Sequence, residues 1–306
     1  MNQLSLDILA KYQVRKTREQ KDRFIAFLQE QLPELKIEAG GFPRCRNLVL
    51  GDVDKAGYIL TAHYDTCAAL PFPNFIAPKN LLITVLYSLL ICIPFFIALL
   101  AANVLLSFIC TSFWVHEFFS LVLFFLLFFT VFIGGPANRH TANDNTSGVI
   151  TLCELICSMS PEERAKTAFV FFDHEESGLF GSAYFRKRYK GALKDKLVIN
   201  YDCVSDGDHI LLVKNKADGK RFGDALKRAF AGNECKTVHI EKSSSALYPS
   251  DQIGFPCAVA VAAMHKKPFI GLCLGRIHSP RDTVFDESNI RFICAATRRF
   301  YVEKTD

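Results

Sequence analysis

Two histidines and five acidic residues stand in short polar runs that follow apolar stretches. His63 and Asp65 lie in Leu60-Thr61-Ala62-His63-Tyr64-Asp65-Thr66. On a strand, residues i and i+2 share a face, so Asp65 is placed to orient the His63 imidazole. Asp144 lies in Ala142-Asn143-Asp144-Asn145-Thr146-Ser147-Gly148. The pair Glu175-Glu176 follows the apolar run Phe169-Val170-Phe171-Phe172 and precedes Ser177-Gly178-Leu179-Phe180-Gly181-Ser182. Asp202 closes Val198-Ile199-Asn200-Tyr201-Asp202, and His278 lies in Arg276-Ile277-His278-Ser279-Pro280-Arg281-Asp282-Thr283. Each segment alone has a plain reading. His-x-Asp can be two surface residues, Asp144 a helix cap, and the Glu pair a solvated helix start. Adjacent carboxylates at the top of a buried strand repel each other, however, and a nearby cation would relieve that. Together the segments offer two His, two Asp and one Glu as metal ligands, with a second Glu to spare. Nitrogen and oxygen donors without cysteine suit a hydrolytic zinc centre better than a structural one.

These residues need strand ends to position them, and the surrounding pattern supplies strands. Thr17-Arg18-Glu19-Gln20 reads as a capping box, and Phe24, Phe27, Leu28 and Leu32 recur at helical spacing. The spacing predicts an amphipathic helix over 18–31. Strands are expected at 47–51, 57–62, 167–172, 196–201, 210–214, 237–240, 257–261 and 269–273. Helices are expected at 147–158, 179–189 and 287–302. Strands alternating with helices indicate an α/β sheet covered on both faces. Ligands at the carboxyl ends of strands lie where open α/β sheets place their sites.

Half of the 306 residues are hydrophobic, and the excess is local. From Leu81 to Ile133, 42 of 53 residues are apolar and Glu117 alone carries a formal charge. The rest of the chain is about 44% hydrophobic, an ordinary globular value. The block reads as an inserted transmembrane hairpin with spans at about 81–106 and 114–133. Residues 1–80 and 135–306 then form one catalytic domain, and 81–134 the insertion. Pro94 is expected to kink the first span, and Trp114 and His116 to sit at the interface. The loop between the spans has no Lys or Arg, whereas Lys79 and Arg139 flank the outer ends. That bias places the catalytic domain and both termini in the cytoplasm. A polar N-terminus without an apolar core and eleven unpatterned cysteines agree with that expectation. The basic residues of the first 25 positions read as solvated helix faces or as contacts with anionic lipid. The net charge of +5 comes with no zinc-finger spacing and no basic run interleaved with aromatics, so nucleic acid is not an expected partner.

The order and context of the polar segments resemble the co-catalytic dizinc aminopeptidases. Their relatives include the glutamate carboxypeptidases, the glutaminyl cyclases and nicastrin-like pseudo-enzymes. The resemblance rests on His63-x-Asp65, Asp144-Asn145-x-Ser147-Gly148, Glu175-Glu176-x-Gly178-Leu179-x-Gly181-Ser182, Asp202 and His278 before Ser279-Pro280-Arg281-Asp282-Thr283. It covers residues 17–80 and 135–306 and leaves out the hairpin. It implies a three-layer αβα zinc-peptidase fold with a central mixed, mostly parallel sheet, and two zinc ions per chain. His63 and Asp202 would bind one zinc, Glu176 and His278 the other, and Asp144 would bridge both. Glu175 resembles the general base that takes a proton from the attacking water, and Asp65 would orient His63. The sequence departs from the family at His174, where a small residue is usual, and at Gln252, where a histidine commonly follows Ser-Asp. The chain runs straight through Ser177-Gly178-Leu179, without the insertion usual in the cyclases.

The implied function is a membrane-anchored zinc aminopeptidase that removes N-terminal residues from peptides. Carboxypeptidase or cyclase chemistry and a non-catalytic membrane scaffold are the alternatives. About ten residues separate the second span from Asp144. At roughly 3.3–3.6 Å per residue, the metals lie within about 35–40 Å of the bilayer, which favours hydrophobic or membrane-derived peptides. The aromatic-rich faces of the spans also leave room for a homo-oligomer.

Overall fold

The computed structural model describes residues 1–215 and 222–302. The chain opens with α1 (Gln3–Lys11) and α2 (Arg18–Gln31). Thr17 caps α2: its hydroxyl accepts from the Gln20 amide, and the Gln20 side-chain oxygen accepts from the Thr17 amide. Phe24, Ile25 and Leu28 on one face of α2 are buried. Nine strands follow among the described residues: β1 (Lys36–Gly40), β2 (Cys45–Leu50), β3 (Tyr58–His63), β4 (Thr167–Phe172), β5 (Leu197–Tyr201), β6 (His209–Lys214), β7 (Thr237–Lys242), β8 (Ala258–Lys267) and β9 (Gly271–Cys273). They form one mixed sheet in the order β1-β2-β4-β3-β5-β8-β6-β7, with β9 paired to β8. The central strands β4, β3, β5 and β8 run parallel. Their apolar runs are buried on both faces, as parallel strands require.

Three layers result. Helices α1 and α2 pack on one face beside α5 (Gly148–Ser158), α8 (Gly223–Ala229) and α9 (Glu287–Val302). Their partners on the sheet include Leu60, Phe169, Phe171, Ile199 and Val261. After the short α6 (Pro161–Ala165), on the other face, Phe185 of α7 (Phe180–Arg188) packs with Leu193 and Phe255 over Ile59, Val170, Phe172 and Val198. The helices at 18–31 and 287–302 match their expected bounds. Strand β1 has no counterpart among the expected strands, because it is a largely exposed edge without apolar alternation. Strand β8 runs on to Lys267, well past 261: Ala262, Ala263 and Met264 stay buried and pair with β6, and His265 to Lys267 then leave the core and pair with β9.

Between β3 and α5 the chain leaves the sheet as two apolar helices, α3 (Leu81–Ser107) and α4 (Phe113–Phe128). A π-helical turn, Phe129–Ile133, prolongs α4. Neither helix has a buried residue. Leu81–Ser107 and Phe113–Ile133 are each long and apolar enough to cross a membrane. Pro94 lies inside α3, which continues through it. His116 turns into the hairpin: its Nδ1 is 2.9 Å from Asn103 Oδ1 and its Nε2 is 2.9 Å from the Cys110 carbonyl. Asn103 also donates to Ser120 Oγ at 2.6 Å, so hydrogen bonds join the two helices. At the root of the hairpin the chain closes on itself. Ala68 bridges Ala137, and the Ala69 amide donates to the Pro136 carbonyl at 2.8 Å.

Two basic residues of the N-terminal segment are neither solvated nor free for lipid. Arg15 and Lys21 are buried. Lys21 Nζ reaches Asp173 Oδ1 at 2.6 Å, with both side chains under a tenth exposed. The same carboxylate accepts from the Arg46 amide at 2.9 Å and the His174 amide at 3.0 Å. Lys21→Met leaves Asp173 buried without its counter-charge and is expected to cost about 3–5 kcal/mol. Thermal unfolding in detergent measures it, and an unchanged midpoint would show that the pair contributes nothing net.

Candidate metal centre and active site

The site is built at the carboxyl ends of β3, β4 and β5. His63 is the last residue of β3 and is 1% exposed. Glu175 and Glu176 follow β4, and Asp202 follows β5. Asp144 comes from the bend before α5, and His278 from the loop after β9. All six side chains converge. His63 Nε2 lies 3.3 Å from Asp144 Oδ1 and 3.6 Å from Asp202 Oδ1. His278 Nε2 lies 3.0 Å from Asp144 Oδ2 and 3.1 Å from Glu176 Oε2. Asp144 therefore turns one oxygen to each histidine.

Asp65 has a different reach from the one its spacing implies. Its carboxylate is 3.7 Å from His63 Nδ1, beyond hydrogen-bond range, while its main-chain oxygen is 3.1 Å away. The carboxylate instead accepts from the amides of Glu175 at 3.0 Å and Glu176 at 3.3 Å. Asp282 holds the other side of the site in the same way, accepting from the Asn143 amide at 2.9 Å and the Asp144 amide at 3.0 Å. Asn145 braces the strand ends. Its Nδ2 donates to the Tyr201 carbonyl at 3.0 Å, and its Oδ1 accepts from Gly148 N at 3.0 Å and Cys203 N at 3.3 Å. Gly148 permits this approach, since a Cβ there would stand 2.3 Å from the Tyr201 carbonyl oxygen. His174, Leu179, Cys203 and His278 hold left-handed φ angles of 56–60°, a cost typical of functional sites.

The electrostatics favour a cation. Burial pushes the Glu175 carboxyl well up, and the neighbouring Glu176, Asp251 and Asp202 carboxylates add to this. Burial alone would lower the His63 imidazole, yet Glu175, Asp144 and Asp202 drive it well up. Burial likewise opposes the rise at His278, and Glu176 and Asp144 overcome it. Glu176 Oε1 and Asp202 Oδ1 are buried with no hydrogen-bond partner. His63, Asp144 and Glu176 offer donor atoms within 4.8 Å of one another, as do His63, Glu175 and Asp202. A cluster this rich in acceptors, with unpaired oxygens, fits divalent metal.

Sequence reasoning missed several residues here. Asp282 lies inside a quoted run, but its role as an amide clamp depends on the tertiary fold. Asp251 is buried with both oxygens unpaired, and burial pushes its carboxyl up to about 7. Cys67 lies with Glu176 and His278, and Cys203 with Asp144 and Asp202. Burial raises both thiols, which keeps them protonated and poor ligands. Arg15 lies beneath the cluster, donating to the Tyr64 carbonyl at 2.5 Å and to Thr146 Oγ1 at 3.1 Å. A cavity of about 290 Å³ opens onto the donors and is lined by Ile76, Leu179, Tyr248 and Ile277. A larger cavity of about 390 Å³, lined by Lys16, Arg18, Arg44 and Arg46, holds none of the donors. The smaller one is the candidate site because the reactive groups face it.

Residues 129–293 match the model of peptidase family M28, more than half of the chain, and the chain belongs to that family. The matched segment contains Asp144, Glu175, Glu176, Asp202 and His278 and begins after His63. The fold is similar to that of a glutaminyl cyclase from Porphyromonas gingivalis, with a TM-score of 0.60 and 14% identity over 98% of this chain and 97% of that one. A Macrostomum lignano glutaminyl cyclase gives 0.59 at 10% identity, over 99% of this chain and 88% of that one. The LapA aminopeptidase of Legionella pneumophila gives 0.56 at 12%, over 98% of this chain and 69% of that one. No curated protein matches the chain.

Asp282→Ala leaves the Asn143 and Asp144 amides without acceptors and loosens the Asp144 carboxylate. Divalent-metal affinity, measured by calorimetric titration, is expected to fall about 10- to 100-fold. Unchanged affinity would show that Asp144 is held by other means.

Proposed function

We propose that the chain is a membrane-anchored zinc-dependent aminopeptidase. The observation that carries this reading is Asp144, whose two carboxylate oxygens each face a histidine, with further acidic donors behind each one. His63 and Asp202 would hold one zinc, His278 and Glu176 a second, and Asp144 would serve both. Bound there, the metals would polarise the scissile carbonyl and bring the pKa of the attacking water toward neutral.

The chain's own residues supply the rest. Glu175 takes the proton from the attacking water and delivers it to the leaving amine. Asp65 fixes where Glu175 and Glu176 stand by holding both amides. The acidic rim attracts a peptide's free ammonium group, which sets the cut at the N-terminus. Ile76, Leu179 and Ile277 give the cavity an apolar wall for the first side chain. The two apolar helices act as the anchor. Lys79 and Arg139 at their outer ends favour a cytoplasmic site.

A peptide-library digest in detergent, with metal analysis of the same sample, tests the reading. Loss of whole N-terminal residues supports it. Loss of ammonia or water from N-terminal Gln or Glu would point to cyclase chemistry instead. Glu175→Gln is expected to lower kcat by about 10²- to 10⁴-fold with metal content unchanged. Full activity in that variant, or activity that survives chelation, would overturn the mechanism.

A further inference from the structure

The β8–β9 turn reaches the base of the first apolar helix. Its tip residue Phe269 is fully exposed and adopts φ 63°, an unusual setting for a bulky side chain. The carbonyls of Phe269 and Ile270 each lie 3.4 Å from Asn80 Nδ2. Asn80 is the cap of α3, accepting from the Ile83 amide at 3.2 Å. The turn is therefore level with the start of the apolar helix. On another side of the same approach, the Leu247 amide donates to the Pro78 carbonyl at 2.8 Å, and Leu247 is about half exposed. Lys266, Lys267 and Lys242 are exposed around these two apolar side chains.

We propose that the β8–β9 turn is a second membrane contact, with Phe269 in the lipid interface and Lys266 and Lys267 on anionic headgroups. The inference rests on the reading that α3 and α4 span a bilayer. If they do, the contact with Asn80 places Phe269 at headgroup depth, where aromatic rings are favoured. Cationic side chains at that depth meet the negative surface of an anionic leaflet. A lipid surface is the occupant because the apolar helix that begins at Leu81 carries the turn to it.

The contact bears on the substrate. From β9 the chain passes to Leu274, which bridges Ile76, and on to Ile277 and His278. Tyr248, next to Leu247, lines the same cavity. Resting the turn on the bilayer holds the mouth of the site against the membrane surface. The substrates that fit are peptides whose N-terminus lies at that surface.

The wild-type chain has one tryptophan, Trp114, in the first turn of α4. Full-length protein is placed in nanodiscs of phosphatidylcholine and phosphatidylserine, with and without lipid brominated near the headgroup. Phe269→Trp in a Trp114→Phe background is compared with wild type. Loss of emission in brominated lipid, with a blue shift that weakens in phosphatidylcholine alone or with Lys266→Glu and Lys267→Glu, supports the contact. Quenching of Trp114 in wild type without quenching in the Phe269→Trp variant overturns the contact and leaves the spans standing. Quenching in neither protein overturns both. Equal quenching with and without phosphatidylserine overturns the part assigned to the lysines.

Discussion

Two buried carboxylates that do not line the cavity hold the main chain of three of the acidic donors, Asp144, Glu175 and Glu176. Asp65 and Asp282 each accept from a pair of adjacent main-chain amides. One pair belongs to Glu175 and Glu176, the other to Asn143 and Asp144. Holding adjacent amides fixes the main chain on both sides of the cavity, so each donor side chain starts from a set direction. Two accepted amides satisfy each buried carboxyl group, which is what lets it stay buried; against its burial, His63 and Lys21 hold the Asp65 carboxyl down at about 2, whereas burial pushes the Asp282 carboxyl up to about 8. Without these hydrogen bonds, mutual repulsion among Asp144, Glu175, Glu176 and Asp202 would spread the loops that carry these residues.

Positive charge beneath the cluster completes the balance. Arg15 is wholly buried, and burial brings its guanidinium down to about 10 while Asp65 and Asp144 hold it up. Lys21 pairs with Asp173 at the base of the Glu175–Glu176 turn. The N-terminal segment thus helps support the site from below.

Much of this was legible in the sequence, and what was hidden has a physical cause. His63, Asp144, Glu175, Glu176, Asp202 and His278 each end a run whose pattern marks a strand or loop, so they could be found and grouped. The amphipathic period of 18–31 and the apolar run of β4 were equally plain. Asp282 and Asp251 were not, because an acceptor for distant amides and an unpaired buried carboxyl have no local signature. Arg15 and Lys21 looked like surface charge because sequence periodicity does not show which polar side chains a tertiary contact will bury. For Asp65, i and i+2 spacing correctly placed it near His63 but did not foresee that its carboxylate would be occupied by the turn after β4.

The apolar hairpin enters between His63 and Asp144, two residues that must meet, and the sheet tolerates it for a geometric reason. The departing and returning segments lie side by side: Ala68 bridges Ala137, and the Asn138 amide donates to the Cys67 carbonyl at 3.2 Å. The ends of the insertion are therefore already together, and its length adds no demand on the core. The root is also tied to the site. The Leu70 amide donates to the His278 carbonyl at 2.9 Å, and the Asn74 amide to the Ile277 carbonyl at 3.0 Å. Phe72 packs on Phe132 and Phe75 on Tyr87, joining that segment to both helices. The segment that carries His278 is thus braced against the same stretch of chain that launches α3. Residues 70–76 are one link between the hairpin and the site; the returning stretch is a second, where Asn138 Nδ2 donates to the Ser279 carbonyl at 3.1 Å, next to His278.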